Sequence, residues 1–229
     1  MKNLVFDAGP IISLTMNNLL WILGDLKKQY RGKFLITEGV KQELIERPLK
    51  TKRFKFEAMQ VNREINKGTL ELFTDKHIKH DTEKLLNLAN SIFQGRGKNL
   101  QIVHLGEMAA LALVLHHKSD ALVVDERTTR QLIENPARLL KLLGRKFHTH
   151  ITLDKEKLKE FSEIVKDVKV IRSIELVTIA YEIGLLDSYK MAIPNAKDEL
   201  LDALLWGLKI DGASISPKDI GKIEKLERY

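Results

Sequence analysis

Four acidic residues of this sequence occupy positions that suit a metal-binding site. Asp7 ends the first apolar run of the chain, and Asp125 ends a later run at 121–124. Glu43 and Glu107 lie in segments whose patterns indicate helices. An acidic residue just past a buried strand lies at the carboxyl edge of a sheet, where open α/β folds bind their ligands. Because four converging carboxylates repel one another unless cations hold them together, these positions predict divalent-metal chemistry on an anionic substrate.

Each of the four acids also has an interpretation that needs no metal. Asp7 and Asp125 each precede an expected helix and could simply cap it. Glu107 stands in the first turn of its helix, where an acid complements the helix dipole. Glu43, taken alone, has the pattern of a solvated helix residue. The combination, rather than any single residue, supports the prediction of a site.

The composition is that of a basic globular protein. The chain has 229 residues, of which 44% are apolar, and this is enough for a sizeable core. Its net charge of +7, from 38 basic and 31 acidic residues, favours a polyanionic partner such as RNA or DNA, although solubility alone could account for it. The lack of cysteine excludes disulfides, thiolate zinc sites and thiol nucleophiles. A charged fraction of 30% also fits a heat-adapted host.

The N-terminal segment starts directly in a buried-strand pattern. It lacks the basic region followed by a long apolar run that a signal peptide needs. The longest purely apolar stretch, 108–115, is too short to span a bilayer. We therefore expect a cytoplasmic protein.

Strand and helix patterns alternate along the first two thirds of the chain, which favours a mostly parallel sheet covered by helices. Beyond about residue 154 the pattern predicts helices alone, and the segment 95–99 is expected to be a flexible, positive loop. Strands are expected at about 3–6, 34–36, 70–73, 121–124 and 147–152. Helices are expected at about 11–26, 38–46 (followed by Pro48), 57–67, 81–93 (capped by Asp81), 106–117, 126–134, 137–143 and, capped by Ser216, at the C-terminus.

Three groups of cations are candidates for contacts with nucleic acid. The segment 50–56 alternates cations with Phe54 and Phe56, the ingredients for holding a single strand, although an interpretation of both rings as core anchors is favoured. The glycine loop at 95–98 lacks the wider spacing and the following Ser or Thr of a nucleotide-binding loop. The pair His148 and His150 lacks a third ligand and is weak evidence for a metal. The candidate cations are Lys52, Arg53, Lys55, Arg96, Lys98 and Arg127.

The segments around the four acids resemble the PIN-domain family, the metal-dependent nucleases that include VapC-type toxins and ribosomal-RNA processing enzymes. Their order and spacing match the family over roughly residues 1–150, and the segment 172–205 resembles the C-terminal helices of a prokaryotic branch without an assigned role. The resembling segments are Leu-Val-Phe-Asp-Ala-Gly-Pro at 4–10, Thr-Glu-Gly-Val-Lys-Gln-Glu at 37–43, Gly-Glu-Met-Ala-Ala at 106–110 and Val-Val-Asp-Glu-Arg at 123–127.

The resemblance implies a PIN-like three-layer α/β/α fold with a mostly parallel central sheet. It implies a catalytic domain at 1–153 and a helical extension at 154–229 packed on the same domain. It also implies phosphodiester hydrolysis with one or two Mg²⁺ or Mn²⁺ ions, on RNA rather than DNA, and is compatible with a homodimer. Asp7 and Asp125 would bind the metal, Glu107 would complete the set of ligands, and Glu43 would orient water or a second ion.

Two residues depart from the family's pattern. Gly9 stands where the family often has Ser or Thr, with Ser13 one turn further along, and Glu107 is longer by a methylene than the usual Asp. These departures keep open a second hypothesis, a catalytically weak PIN-fold protein that binds RNA or a protein partner. A phosphohydrolase with Asp7 as covalent nucleophile is rejected, because that chemistry needs a second Asp at position 9. A toxin role is disfavoured by the length of the chain.

Overall fold

The computed structural model describes residues 2–227, apart from the side chains of Lys76 and His77. The strands are β1 Asn3–Phe6, β2 Lys33–Thr37, β3 Glu71–Phe73, β4 Phe93–Gly95, β5 Lys98–Asn99, β6 Ala121–Val123, β7 Ile151–Leu153 and β8 Val170–Ile171. The helices are α1 Ala8–Met16, α2 Ile22–Tyr30, α3 Glu38–Lys41, α4 Arg47–Leu49, α5 Lys55–Asn66, α6 Lys76–Ala89, α7 Leu105–His117, α8 Arg127–Glu134, α9 Pro136–Phe147, α10 Lys155–Val165, α11 Ser173–Glu182, α12 Ala196–Ile210 and α13 Pro217–Glu227. A π-helical turn, Gln42–Glu46, joins α3 to α4, and a 3₁₀ turn, Asp187–Tyr189, precedes α12.

The central sheet has five strands in the order β3-β2-β1-β6-β8, and every neighbouring pair is parallel. Phe6, the last residue of β1, is in register with Ile36 of β2 and Val123 of β6. The carboxyl ends of these strands therefore meet at one edge, and the chain leaves that edge at Asp7 and Asp125, as expected. A second, antiparallel sheet has the order β5-β4-β7.

Two cores cover the two faces of the central sheet. Leu4 and Phe6 of β1 pack with α1, α2 and the C-terminal helices, while Val5 packs with α6, α7 and α10 on the other face. This alternation follows from the two-residue period of a strand. The PIN-like three-layer α/β/α fold is thereby confirmed.

The strand β8 corrects the expectation of helices alone beyond residue 154. Val170 and Ile171 pair in parallel with Leu122 and Val123, so the C-terminal segment adds a fifth strand to the central sheet. A strand of two residues is shorter than any periodicity test can detect, and pairing with β6 creates it. The helices α11–α13 then pack into the same core as β1 and β2. The division of the chain at residue 153 stays a prediction.

Other predicted boundaries were wrong where local backbone geometry intervened. The segment 95–99 is a hairpin rather than a flexible loop, because Arg96 and Gly97 both have positive φ, at 51° and 74°, and close a tight turn between β4 and β5. Helix α6 begins at Lys76 and ends at Ala89, so Asp81 lies inside the helix instead of capping it. The first expected helix is divided into α1 and α2, with the left-handed residue Asn18 (φ 56°) between them.

Two further boundaries moved, and one was as expected. Helix α9 continues to Phe147, so the strand expected from 147 is confined to β7. The helix that was expected to stop before Pro48 continues past it by way of the π-helical turn. The C-terminal helix begins at Pro217, and Ser216 accepts a hydrogen bond from the Asp219 N–H at 3.1 Å, as expected for its cap. Within the described range, no helix is both long and apolar enough to cross a membrane.

Candidate active site

Asp7 is a buried carboxylate at the centre of the sheet edge. It is only 7% exposed, and its Oδ2 accepts a hydrogen bond from the Gly9 N–H at 3.3 Å, so it caps α1. Burial raises the pKa of Asp7 to about 7; the negative charge of Glu107 and, more weakly, that of Glu43 act in the same direction. The N–H groups of Gly9 and Ala8 oppose this rise without cancelling it. Asp7 therefore stands in a site whose negative charge its protein neighbours do not neutralise.

Glu107 faces Asp7 from the first turn of α7. Its Oε2 accepts hydrogen bonds from the Thr129 hydroxyl at 2.6 Å and from the His104 N–H at 3.3 Å. Burial raises the pKa of Glu107, and the charge of Glu126 adds to the rise, while the Thr129 hydrogen bond opposes it. Thr129 thus fixes one oxygen of Glu107, and the carboxylate is held in place from α8.

Asp125 is also buried, but its oxygens are largely engaged by donors from the protein. Its Oδ2 accepts hydrogen bonds from the hydroxyls of Ser13 and Ser173, both at 2.7 Å, and its Oδ1 accepts one from the Ser173 N–H at 2.8 Å. Since two carboxylate oxygens offer about four lone pairs, one on Oδ1 is left over. Asp125 thereby ties the end of β6 to both α1 and α11.

Gly9 lies between the two aspartates. A Cβ at this position would lie 3.6 Å from Asp7 Oδ2 and 3.6 Å from Asp125 Cβ, which is ordinary van der Waals contact. The hydroxyl that the family often has here is missing, and Ser13 donates to Asp125 instead. Ser13 therefore reaches the site from one turn further along α1.

Glu43 approaches the same edge from the π-helical turn. It is exposed, and its Oε2 lies 3.8 Å from the place of a Cβ on Gly106, the residue before Glu107. Its charge also acts on Asp7. The structure therefore brings Asp7, Glu43 and Glu107 into one electrostatic cluster, with Asp125 beside it across Gly9.

The donor set fits an ion that is only partly coordinated by protein. Among residues 2–227, no three Asp, Glu or His side chains form a ready set of ligands for one metal. Mg²⁺, however, is usually held by one or two carboxylates together with waters and substrate phosphates. Asp7 and Glu107 suit that pattern, because a cation would remove the cost of placing the buried Asp7 carboxylate near the half-buried Glu107 carboxylate.

The expected nucleic-acid contacts lie on the surface. Residues 49–56 are all exposed, and so are Arg96, Lys98 and Arg127. Phe54 and Phe56 are 42% and 68% exposed, so the favoured interpretation of these rings as core anchors was wrong. Phe54 precedes α5 and Phe56 lies in its first turn, and neither is among the buried residues of this helix.

The histidine pairs contribute no metal site among the described residues. His148 ends α9 in a left-handed conformation (φ 47°), so His148 and His150 do not share a strand. His116 and His117 lie near Phe73, with the His117 ring 4.4 Å from the Phe73 ring.

Two residues of the site could not have been assigned roles from the sequence. Ser173 reaches Asp125 only because β8 joins the sheet, and a strand of two residues gives no clear signal in the sequence. Thr129 shows no feature in the sequence that distinguishes it from a helix residue, although it makes the shortest hydrogen bond to Glu107. Both act on the acids rather than replacing them.

Comparison with known proteins adds a family. The family model described as PIN domain matches residues 3–142, which include all four acids. No curated protein and no solved structure matches the chain.

Proposed function

The chain belongs to the PIN-domain family, and we propose that it is a metal-dependent nuclease that hydrolyses phosphodiester bonds of RNA at the edge formed by Asp7 and Glu107. PIN domains generally bind nucleic acid and use divalent metal ions. The observation that carries the proposal is Asp7 itself, a buried carboxylate whose pKa is raised by its burial and by the negative charge of Glu107. Such a pair is costly in a structural role and useful in metal chemistry.

Asp7 and Glu107 would hold a Mg²⁺ or Mn²⁺ ion, and Asp125 would complete the predicted ligands through its remaining lone pair. When bound, such an ion activates a water molecule and stabilises the departing 3′-oxygen. Thr129 keeps Glu107 oriented, and Ser13 and Ser173 keep Asp125 oriented.

Glu43 is exposed beside this pair, and we assign it the role of accepting a hydrogen bond from the attacking water. The exposed cations named above would bind the phosphate backbone of the substrate, which gives no sequence preference by itself. A cytoplasmic location, a heat-adapted host and a homodimer belong to the same proposal.

A second candidate function is a PIN-fold module that binds RNA or a protein partner without cutting it. The hydrogen bonds that engage Asp125 and the missing hydroxyl at Gly9 favour it, since both reduce the donors available to a metal. It predicts affinity for RNA without turnover.

Cleavage of single-stranded RNA tests the proposal directly. Wild type, Asp7→Asn and Glu107→Gln are incubated with labelled RNA in Mn²⁺, in Mg²⁺ and in EDTA. We expect metal-dependent cleavage by wild type. In both variants we expect no more cleavage with metal than in EDTA. Asp154→Asn is the matched control, because Asp154 also caps a helix, α10, through the Lys157 N–H at 3.1 Å.

The alternatives give different results. Cleavage that persists unchanged in Asp7→Asn would exclude this site. Tight binding of RNA with no cleavage by wild type in either metal would favour the second candidate.

A further inference from the structure

An apolar pocket of about 250 Å³ opens beside Glu43. Its walls include Ile12 and Met16 of α1 and Phe54 and Val61 on the side of α5, and the carboxylates of Glu43 and Glu57 also line it. Ile12 and Met16 are 39% and 43% exposed, so two large apolar side chains one turn apart on α1 form part of an exposed apolar patch. Apart from Glu43, the residues that line the pocket have no role in the chemistry assigned to Asp7 and Glu107.

Phe54 is held at this pocket in a rare backbone conformation. Its φ of 60° and ψ of 21° are left-handed, a genuine outlier for a bulky aromatic residue. Strain of this kind persists only where the surrounding structure imposes it, and it is concentrated at ligand-binding segments. Here it presents the ring at the pocket while the chain turns into α5, and the Arg53 guanidinium lies over the ring at 4.6 Å.

The segment that carries Phe54 is cationic, whereas the charged residues that line the pocket itself are Glu43 and Glu57. Lys50, Lys52, Arg53 and Lys55 lie in the exposed segment that carries Phe54. An apolar slot beside a cationic segment matches a flat ring attached to a phosphate, which is one nucleotide of a single strand. An aromatic side chain on such a surface accepts any base by stacking.

The pocket is continuous with the acidic edge through Glu43. The same carboxylate that lines the pocket lies 3.8 Å from the place of a Cβ on Gly106, next to Glu107. A base in the pocket would therefore belong to a nucleotide close to the phosphodiester at Asp7 and Glu107.

We propose that this pocket receives one unstacked base of single-stranded RNA next to the bond that is cut, and that Glu57 selects bases that offer N–H donors. An ionised carboxylate only accepts hydrogen bonds. Guanine offers two adjacent N–H groups on one edge and fits Glu57 best. The position of the base relative to the cut rests on the proposed function, whereas binding of the base does not.

Binding is measured first, with the cleavage-deficient Asp7→Asn protein in EDTA. Fluorescence anisotropy compares oligouridine strands that carry a central G, A, C, U or abasic nucleotide. We expect the G strand to bind most tightly and the abasic strand most weakly. Phe54→Ala in the same background should weaken binding of the G strand by at least about 5-fold, the lower end of what stacking on an aromatic ring contributes.

Three further variants separate the pocket from its surroundings. Phe56→Ala is the matched control, because Phe56 stands two residues away in the same cationic segment and does not line the pocket. It should leave the preference for G intact. Ile12→Trp fills the pocket from α1 and should remove the preference, while Glu57→Gln should reduce the difference between G and U with little change in binding of U.

Cleavage mapping with wild type then tests the position of the base. Moving a single G along an oligouridine strand should move the cut by the same number of nucleotides, and Phe54→Ala should lose this phasing. Two results would overturn the inference. One is equal binding of the G and abasic strands by the Asp7→Asn protein, and the other is unchanged binding of the G strand by both Phe54→Ala and Ile12→Trp in that background. An acidic peptide that competes with RNA only when Phe54 is present would also overturn it, since it would assign the pocket to a protein partner.

The two proposals fail separately. If wild type binds the G strand through Phe54 and Glu57 but never cuts it, the nuclease proposal fails and the base-binding pocket stands. If wild type cuts in Mn²⁺ with no dependence on the base, the base-binding pocket fails and the nuclease proposal stands.

Discussion

Asp7 has an observed role as a helix cap and a proposed role as a metal ligand, and the two make opposite demands. As the cap of α1 it needs only an oxygen that accepts the Gly9 N–H, and a neutral side chain supplies that equally well. As a metal ligand it must be ionised, although burial and Glu107 both favour the protonated form. The fold therefore does not need the charge of Asp7, whereas the proposed metal site does.

This conflict predicts that Asp7→Asn stabilises the metal-free protein at alkaline pH. The pKa of Asp7 is about 7 in the folded chain against an ordinary 3.8, so between these values the folded state binds more protons than the unfolded state. Stability then falls as pH rises from about 4 to about 7 and stays low above it. In EDTA at pH 8, urea unfolding should show Asp7→Asn more stable than wild type by roughly 2–4 kcal/mol, with the gain shrinking toward pH 4.

Asp154→Asn, at a half-exposed helix cap, should show no such gain. A variant Asp7→Asn that is no more stable than wild type at pH 8 would show that the repulsion at the edge is relieved in some other way.

At the scale of elements, the ends of strands position the acids. The sequence predicted some of these strands and missed others. Asp7 and Asp125 were predictable because buried apolar runs of three and four residues lead directly into them. The strand β8 was not, because its two residues become a strand only through pairing with β6. The left-handed backbone of Phe54 was hidden for a similar reason, since a bulky aromatic residue has no local preference for it. Residues whose place depends on short elements were therefore beyond sequence reasoning.

The β8–α11 junction gives a prediction at this scale. Ser173→Ala removes one of the two hydroxyls that donate to Asp125 Oδ2 and leaves the backbone donor of residue 173 in place. We expect a loss of roughly 1–3 kcal/mol in unfolding free energy, because a buried carboxylate loses a charge-assisted hydrogen bond. We also expect slower metal-dependent cleavage, because Asp125 becomes less well fixed.

Ser91→Ala is the control for this change, since the Ser91 hydroxyl donates only to the Leu88 carbonyl oxygen, at 2.8 Å, away from the site. Unfolding in urea and cleavage in Mn²⁺ measure the two effects. Full stability together with full cleavage in Ser173→Ala would show that Ser13 alone positions Asp125.

At the scale of the whole molecule, one core joins the two ends of the chain. Leu4, Phe6 and Ile36 of the central sheet share a buried cluster with Leu201, Leu205 and Leu208 of α12. A segment so placed cannot be removed without exposing the face of the sheet that carries β1. We therefore propose that 1–153 and 154–229 unfold together, although the family match ends at residue 142.

A matched pair of substitutions on α12 tests this proposal without truncating the chain. Leu205 is fully buried in the shared core, whereas Ile210, five residues later on the same helix, is 77% exposed. Leu205→Ala should lower the unfolding free energy by about 2–5 kcal/mol, the range for a buried leucine truncated to alanine, and Ile210→Ala should change it little. Because the core is shared, the loss should appear equally in the fluorescence of Trp21, before the sheet's second strand, and of Trp206 on α12, through one coincident transition. A Leu205→Ala protein in which Trp206 reports unfolding at lower urea than Trp21 would instead show that the C-terminal helices form a separately cooperative unit.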